Sequence, residues 1–181
     1  MPHLLHWLYC LLGLLLLQAC RPPAAQTTPE AQPAPPLTTL VLLRHAEQDL
    51  QAGEDPPLNA RGSQRAKDLR LLLAHTAFDA IYATPYRRSM ATAQPLAQAQ
   101  GLTVQAYDPD QDLRQTAKQF LTQHPGQTLL VVGHSSTVPG LVNALVGDNR
   151  YPPLDKSAFG DIWVVAAGTA EQVSVVQWQM P

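Results

Sequence analysis

Two apolar runs in this chain end on groups that can do chemistry. Leu-Val-Leu-Leu (40–43) runs directly into Arg44-His45, and Leu-Leu-Val-Val-Gly (129–133) runs into His134. A third stretch, Ala-Thr-Pro-Tyr-Arg-Arg-Ser (83–89), adds Arg87 and Arg88 just after a proline. Arginine forks match phosphate oxygens bidentately. A neutral imidazole can attack phosphorus and carry it covalently, which splits one hard displacement into two. Arginines and histidines gathered at one point therefore suit phosphoryl transfer. A metal centre built from His45, Glu47 and His134 is the competing chemistry, but the flanking arginines would repel a cation. Cysteine offers no third route: the two cysteines, Cys10 and Cys20, both lie in the first twenty residues. Beyond them a thiol nucleophile, a thiolate metal site and a disulfide framework are all excluded.

The elements needed to bring these residues together are visible as an alternation of strands and helices. Thr38–Leu43, Phe78–Thr84, residues 102–107 and Thr128–Gly133 read as strands, and residues 161–167 and 172–179 add two more. Between them, residues 59–76 have Ala66, Leu69 and Leu73 on one helical face, with Asn59 placed to cap the start. Residues 85–101 read as a helix with Met90, Ala93 and Ala97 inward, kinked at Pro95 and ended at Gly101. Thr84 is its expected N-cap and Pro85 its first residue, which makes its start, with Arg87 and Arg88, an anion site. A helix over 112–124, capped by Asp112, stops at Pro125-Gly126, and another covers Val138–Val146. This order predicts an α/β fold of three layers, a mainly parallel sheet covered on both faces by helices. In such sheets ligands bind beyond the carboxyl ends of the strands. Arg44-His45, His134 and the Arg87-Arg88 pair all fall there.

The remaining composition sets limits. With 181 residues, a net charge of −2 and 45% hydrophobic content, the chain suits one soluble globular domain, and it has no basic surplus for nucleic acid. The apolar run Leu8–Leu17 has the length of a signal-peptide core, too short to span a bilayer comfortably. It ends in Leu17-Gln18-Ala19-Cys20, which resembles a bacterial lipobox and implies cleavage before Cys20 and lipid attachment to it. Arg21–Pro36 holds six prolines and few large apolar side chains, the composition of an extended tether. The expected organisation is a leader over 1–19, a tether over 20–37 and a domain over 38–181. The domain would then sit outside the cytoplasm, lipid-anchored at the cell envelope.

Four stretches, "LLRHAE", "PLNARGSQRA", "TPYRRSMATAQPLA" and "VVGHSST", occur in this order. Together they resemble the histidine phosphatase superfamily, the phosphoglycerate mutase-like proteins, over most of residues 38–181. The resemblance implies that His45 is the phosphorylated nucleophile, that Arg44 and Arg88 hold the phosphoryl group and that His134 donates to its oxygens. Asn59 stands where the family has threonine, a position a capping role explains. The family's general acid lies in the segment after the arginine helix. Here that segment offers Asp108, Asp110 and Asp112, of which Asp108, nearest the strand end, is the expected acid. The implied activity is hydrolysis of phosphorylated small molecules with neither metal nor cofactor, by a chain expected to be a monomer. An idle phosphatase fold that only captures phosphorylated ligands is the rival. His75 and His124 read as cations at helix ends, Arg87 as a rim residue, and Trp163 and Trp178 as packing. Glu47 either orients the loop after His45 or is exposed.

Overall fold

Continuous apolar strands need cover on both faces, and the central strands here obtain it by sending alternate residues to opposite sides. In the computed structural model, which describes residues 36–168 and 172–180, six strands and four helices follow one another. The leader, Cys20 and nearly all of the tether lie outside the described residues. β1 (Thr38–Arg44), β2 (Ala80–Ala83), β3 (Val104–Ala106) and β4 (Thr128–Gly133) are parallel; β5 (Asp161–Ala167) extends the sheet antiparallel to β1, and β6 (Val173–Gln179) pairs antiparallel with β5. The strand order is β3-β2-β4-β1-β5-β6. Among the described residues no helix is long and apolar enough to cross a membrane.

Leu40, Leu42, Leu129 and Val131 point to one face, where they meet α3 (Leu113–Gln123) and α4 (Thr137–Val146) through Phe120, Val138 and Leu141. Val41, Leu43, Leu130 and Val132 point to the other, against α1 (Ala60–Leu72) and α2 (Arg87–Gln100) through Leu69, Ala93 and Leu96. Each fully buried leucine contributes about 2 kcal/mol by leaving water. The expected three-layer α/β arrangement is therefore present.

Two helix starts differ in instructive ways. α1 begins as expected, with the Asn59 side chain accepting the Gly62 N–H at 2.9 Å. α2 begins two residues later than expected, at Arg87, with Tyr86 rather than Thr84 in the N-cap position. Thr84 is fully buried at the end of β2, and its hydroxyl donates to Ser89 Oγ at 2.7 Å. It lies two residues before the N-cap position, and no side chain of the helix start caps α2. Past that start, α2 runs unbroken through Pro95 and closes at Gly101, whose φ of +68° is the left-handed stop that glycine allows. His124 sits at the end of α3, but its ring is joined to the Tyr82 hydroxyl and to Gln127, which ties the helix to the sheet. His75 lies in the turn after α1.

Candidate active site

The site forms where the strand order reverses. β4 lies between β1 and β2, so the ends of three parallel strands adjoin and the chain leaves them in different directions. Arg44 is in register with Gly133, and the His45 N–H donates to the Gly133 carbonyl at 2.9 Å. One residue on, the imidazoles of His45 and His134 meet edge to face, with ring centroids 5.4 Å apart. Gly133 has no room for a side chain, because a Cβ there would stand 2.6 Å from the Tyr107 hydroxyl and 2.7 Å from Thr137 Oγ1.

His45 is 4% exposed. Its Nδ1 lies 2.8 Å from the Ala46 carbonyl, an acceptor, so Nδ1 carries the proton and donates. That leaves the lone pair on Nε2, which accepts the Nε–H of Arg88 at 3.2 Å. Burial, reinforced by the charges of Arg88 and Arg44, pushes the His45 pKa down to about 4. The ring is neutral at ordinary pH, which a nucleophile requires. His134 is lowered to about 4 as well, first by burial and then by Arg88 and Arg44. Its Nε2 and the Nε of Arg44 are buried polar atoms without a hydrogen-bond partner. Such atoms are costly unless a ligand satisfies them.

Each arginine is set by an aromatic ring and by oxygen. The Arg44 guanidinium stacks 4.0 Å from the Phe159 centroid, and its NH1 donates to the carbonyls of Asp155, Lys156 and Ala158 at 2.7–3.0 Å. One side of Arg44 thus fastens the loop before β5, while its Nε makes no bond. Arg88 stacks 4.6 Å from the Tyr86 centroid, and its NH1 lies 3.5 Å from Asp55 Oδ1. The Asp55 carboxylate also accepts the Arg87 N–H, at 3.1 and 3.3 Å. The start of α2, expected as an open anion site, therefore already holds a carboxylate from the loop after β1. Arg87 contributes its backbone N–H to that contact.

Glu47 is 7% exposed and takes the orienting role. Arg65 grips its carboxylate through Nε and NH2 at 2.8–3.1 Å, and Arg61 Nε adds a contact at 3.0 Å. The Glu47 carbonyl accepts the Asn59 N–H at 3.0 Å, and Gly62 is glycine because a Cβ would overlap that same carbonyl. The "PLNARGSQRA" stretch is thereby the clamp that fixes the chain after His45.

His45, His134, Arg44 and Arg88 are brought together. Asp108 and Asp110 are both exposed, and Asp108 Oδ1 accepts the Asp110 N–H at 2.9 Å. Of the two aspartates, Asp110 is the one whose charge acts on His134, favouring its protonated form. Asp112 caps α3 through the Arg114 N–H at 2.7 Å. Sequence reasoning missed Asp55 and Phe159, which reach the site from loops with no periodic signal. It also missed the stacking role of Tyr86, although Tyr86 lies inside a recognised stretch. Among the described residues no group of three or more His, Cys, Asp or Glu is placed to hold a metal ion. The arrangement gathers two arginines and two imidazoles into a place suited to an anion, with the uncharged Nε2 of His45 among them.

Comparisons with known proteins point the same way. Residues 40–114 match the model of the histidine phosphatase superfamily (branch 1). Over 74 residues the chain is 36% identical to phosphoserine phosphatase 1 of Hydrogenobacter thermophilus, a stretch covering 38% of this chain and 35% of that protein. The chain thus aligns with about a third of this curated relative. The fold resembles the protein histidine phosphatase SixA in complex with tungstate, with a TM-score of 0.65 and 18% identity over 78% of this chain and 96% of that one. It also resembles the phosphoserine phosphatase of Entamoeba histolytica in complex with 3-phosphoglyceric acid. There the TM-score is 0.62 and the identity 16%, over 80% of this chain and 98% of that one.

Proposed function

We propose that the chain, whose residues 40–114 match the model of the histidine phosphatase superfamily (branch 1), is a member of that superfamily and a metal-independent phosphomonoesterase working through a phosphohistidine at His45. The observation that carries this reading is the state of one ring: His45 is neutral, with Nδ1–H held by a carbonyl and Nε2 ringed by Arg88 and His134.

In the first step the substrate phosphoryl group takes the Nε–H of Arg88 and the free donors of Arg44 and His134. The Nε2 lone pair forms a bond to phosphorus, the ester P–O bond breaks, and its electron pair leaves with the oxygen. The ring becomes cationic, and the Ala46 carbonyl at Nδ1–H stabilises it. Asp110, whose charge reaches His134, is the proton donor to the leaving oxygen in this account, in preference to Asp108. In the second step water gives a proton to the Asp110 carboxylate as its oxygen bonds to phosphorus, the P–N bond breaks, and the electron pair returns to Nε2. Phosphate leaves. A cleft beside Arg44, lined by Gln48, Leu50, Lys156, Ser157 and Phe159, gives a small leaving group its room. The matched relative, by its name a phosphoserine phosphatase, supports a small phosphorylated substrate.

The experiment is hydrolysis of nitrophenyl phosphate in excess chelator. The expected rate equals that without chelator, because arginines do the charge neutralisation that a cation would otherwise supply. A loss restored by a divalent ion would overturn the proposal.

The proposal extends to location. Cys20, the last residue of the lipobox-like Leu-Gln-Ala-Cys, is read as the lipid-bearing residue of an envelope-anchored protein. Wild-type protein is expected in the membrane fraction, with Cys20→Ser failing to mature. Soluble wild-type protein cleaved at another residue would contradict the anchor.

A further inference from the structure

Arg88 has two roles in this site. It is placed to hold a phosphoryl group, and its Nε–H rests on the lone pair that His45 must use. The orientation of its guanidinium therefore decides whether Nε2 is masked or a phosphoryl oxygen is bound. Two groups control that orientation. The Tyr86 ring sets the plane from one side, and Asp55 draws NH1 from the edge. Asp55 is carried on an excursion of the chain between Gln48 and Leu58. Its neck is closed by the Gln48–Leu58 bridge and by the Asp49 N–H on the Pro57 carbonyl at 2.9 Å. Asp55 pins the far side of that excursion to the start of α2 through the Arg87 N–H. It is the carboxylate paired with a phosphate-binding arginine of this site, and it has no part in the chemistry just described.

We propose that Asp55 is a positioning residue for the reaction, orienting Arg88 for the transition state at some cost to ground-state phosphate binding. The inference rests on the proposed function. A carboxylate 3.5 Å from NH1 keeps the guanidinium edge beside His45, so that its Nε–H can pass from Nε2 to an oxygen of the entering phosphoryl group and free the lone pair for attack. The same negative charge repels the phosphoryl dianion and competes with it for NH1. Orientation and repulsion act in opposite directions on turnover and on binding, whereas a purely structural role would move both the same way.

Asp55→Asn separates these effects, because asparagine caps a helix start as well as aspartate does and can still accept the Arg87 N–H. The thermal midpoint should stay near the wild-type value. The variant's kcat for nitrophenyl phosphate should fall by about tenfold, since misorientation at the reacting centre is paid in turnover. Inorganic phosphate, measured by calorimetry on the whole protein, should bind several-fold more tightly. Unchanged kcat with unchanged phosphate affinity would leave Asp55 as a cap alone and overturn the inference. A parallel loss of both, with a lowered midpoint, would overturn it as well. A wild-type protein that binds phosphate but hydrolyses no ester would sink the proposed function instead, and the calorimetric comparison separates the two failures.

Discussion

Replacing His45 by alanine is expected to lower turnover of nitrophenyl phosphate by about 10³-fold or more, since it removes the atom that forms the new bond. The loss should not come from unfolding. The His45 ring donates only to the carbonyl of its own neighbour, and the strand bonds on either side of it are backbone bonds. Phosphate binding by His45→Ala should survive, because Arg44, Arg88 and His134 remain. The same ring has a titration that can be followed by NMR. Burial and two arginines lower its pKa to about 4, so its ring protons should shift near pH 4 rather than near 6.5. The sign matters for function. A lowered value keeps the lone pair free throughout the neutral and mildly acidic range, and only strong acid removes it. A His45→Ala protein with wild-type turnover would remove the mechanism altogether.

The second large effect concerns the leaving group. A nitrophenolate departs with its negative charge, whereas a glycerol or serine alkoxide must receive a proton. Acid assistance is typically worth about 10²–10⁴ in rate, and most of it should appear only with the poor leaving group. Asp110→Asn is therefore expected to slow alkyl phosphates severely and nitrophenyl phosphate mildly. Asp108→Asn should slow both little, since its carboxylate is engaged with a backbone N–H. If the selective loss appears in Asp108→Asn instead, the proton comes from the residue nearer the strand end. If neither variant discriminates between leaving groups, water is the donor.

What could be read in advance follows from what repeats. The runs 40–43 and 129–132 are continuously apolar because parallel central strands are buried on both faces. Once both are central strands, the polar residues after them must lie at the same edge of the sheet, and His45 and His134 follow. Asn59 was legible because a cap is a local bond between residues three apart. Asp55 and Phe159 were not, since the first meets α2 from 32 residues away and the second meets Arg44 across the sheet edge from a loop before β5. Loop residues carry no periodicity to extrapolate. The start of α2 fell between these cases. Thr-Pro read correctly as a helix boundary, but burial of Thr84 turned its hydroxyl to Ser89 and left the capping to Asp55. Glu47 was undecided for a similar reason: its partner Arg65 is one helix away, and only the close approach allowed by Gly62 brings them together.

Trapping the intermediate tests the central claim most directly. Protein mixed with an alkyl phosphate labelled in its phosphoryl group, quenched in base and digested, should yield labelled phosphate on the peptide containing His45. That label should be stable in base and lost in acid, as a phosphoramidate is, and it should be absent from His45→Ala. Label on any other residue, or full turnover in water with no phosphoenzyme at any time point, would contradict the account.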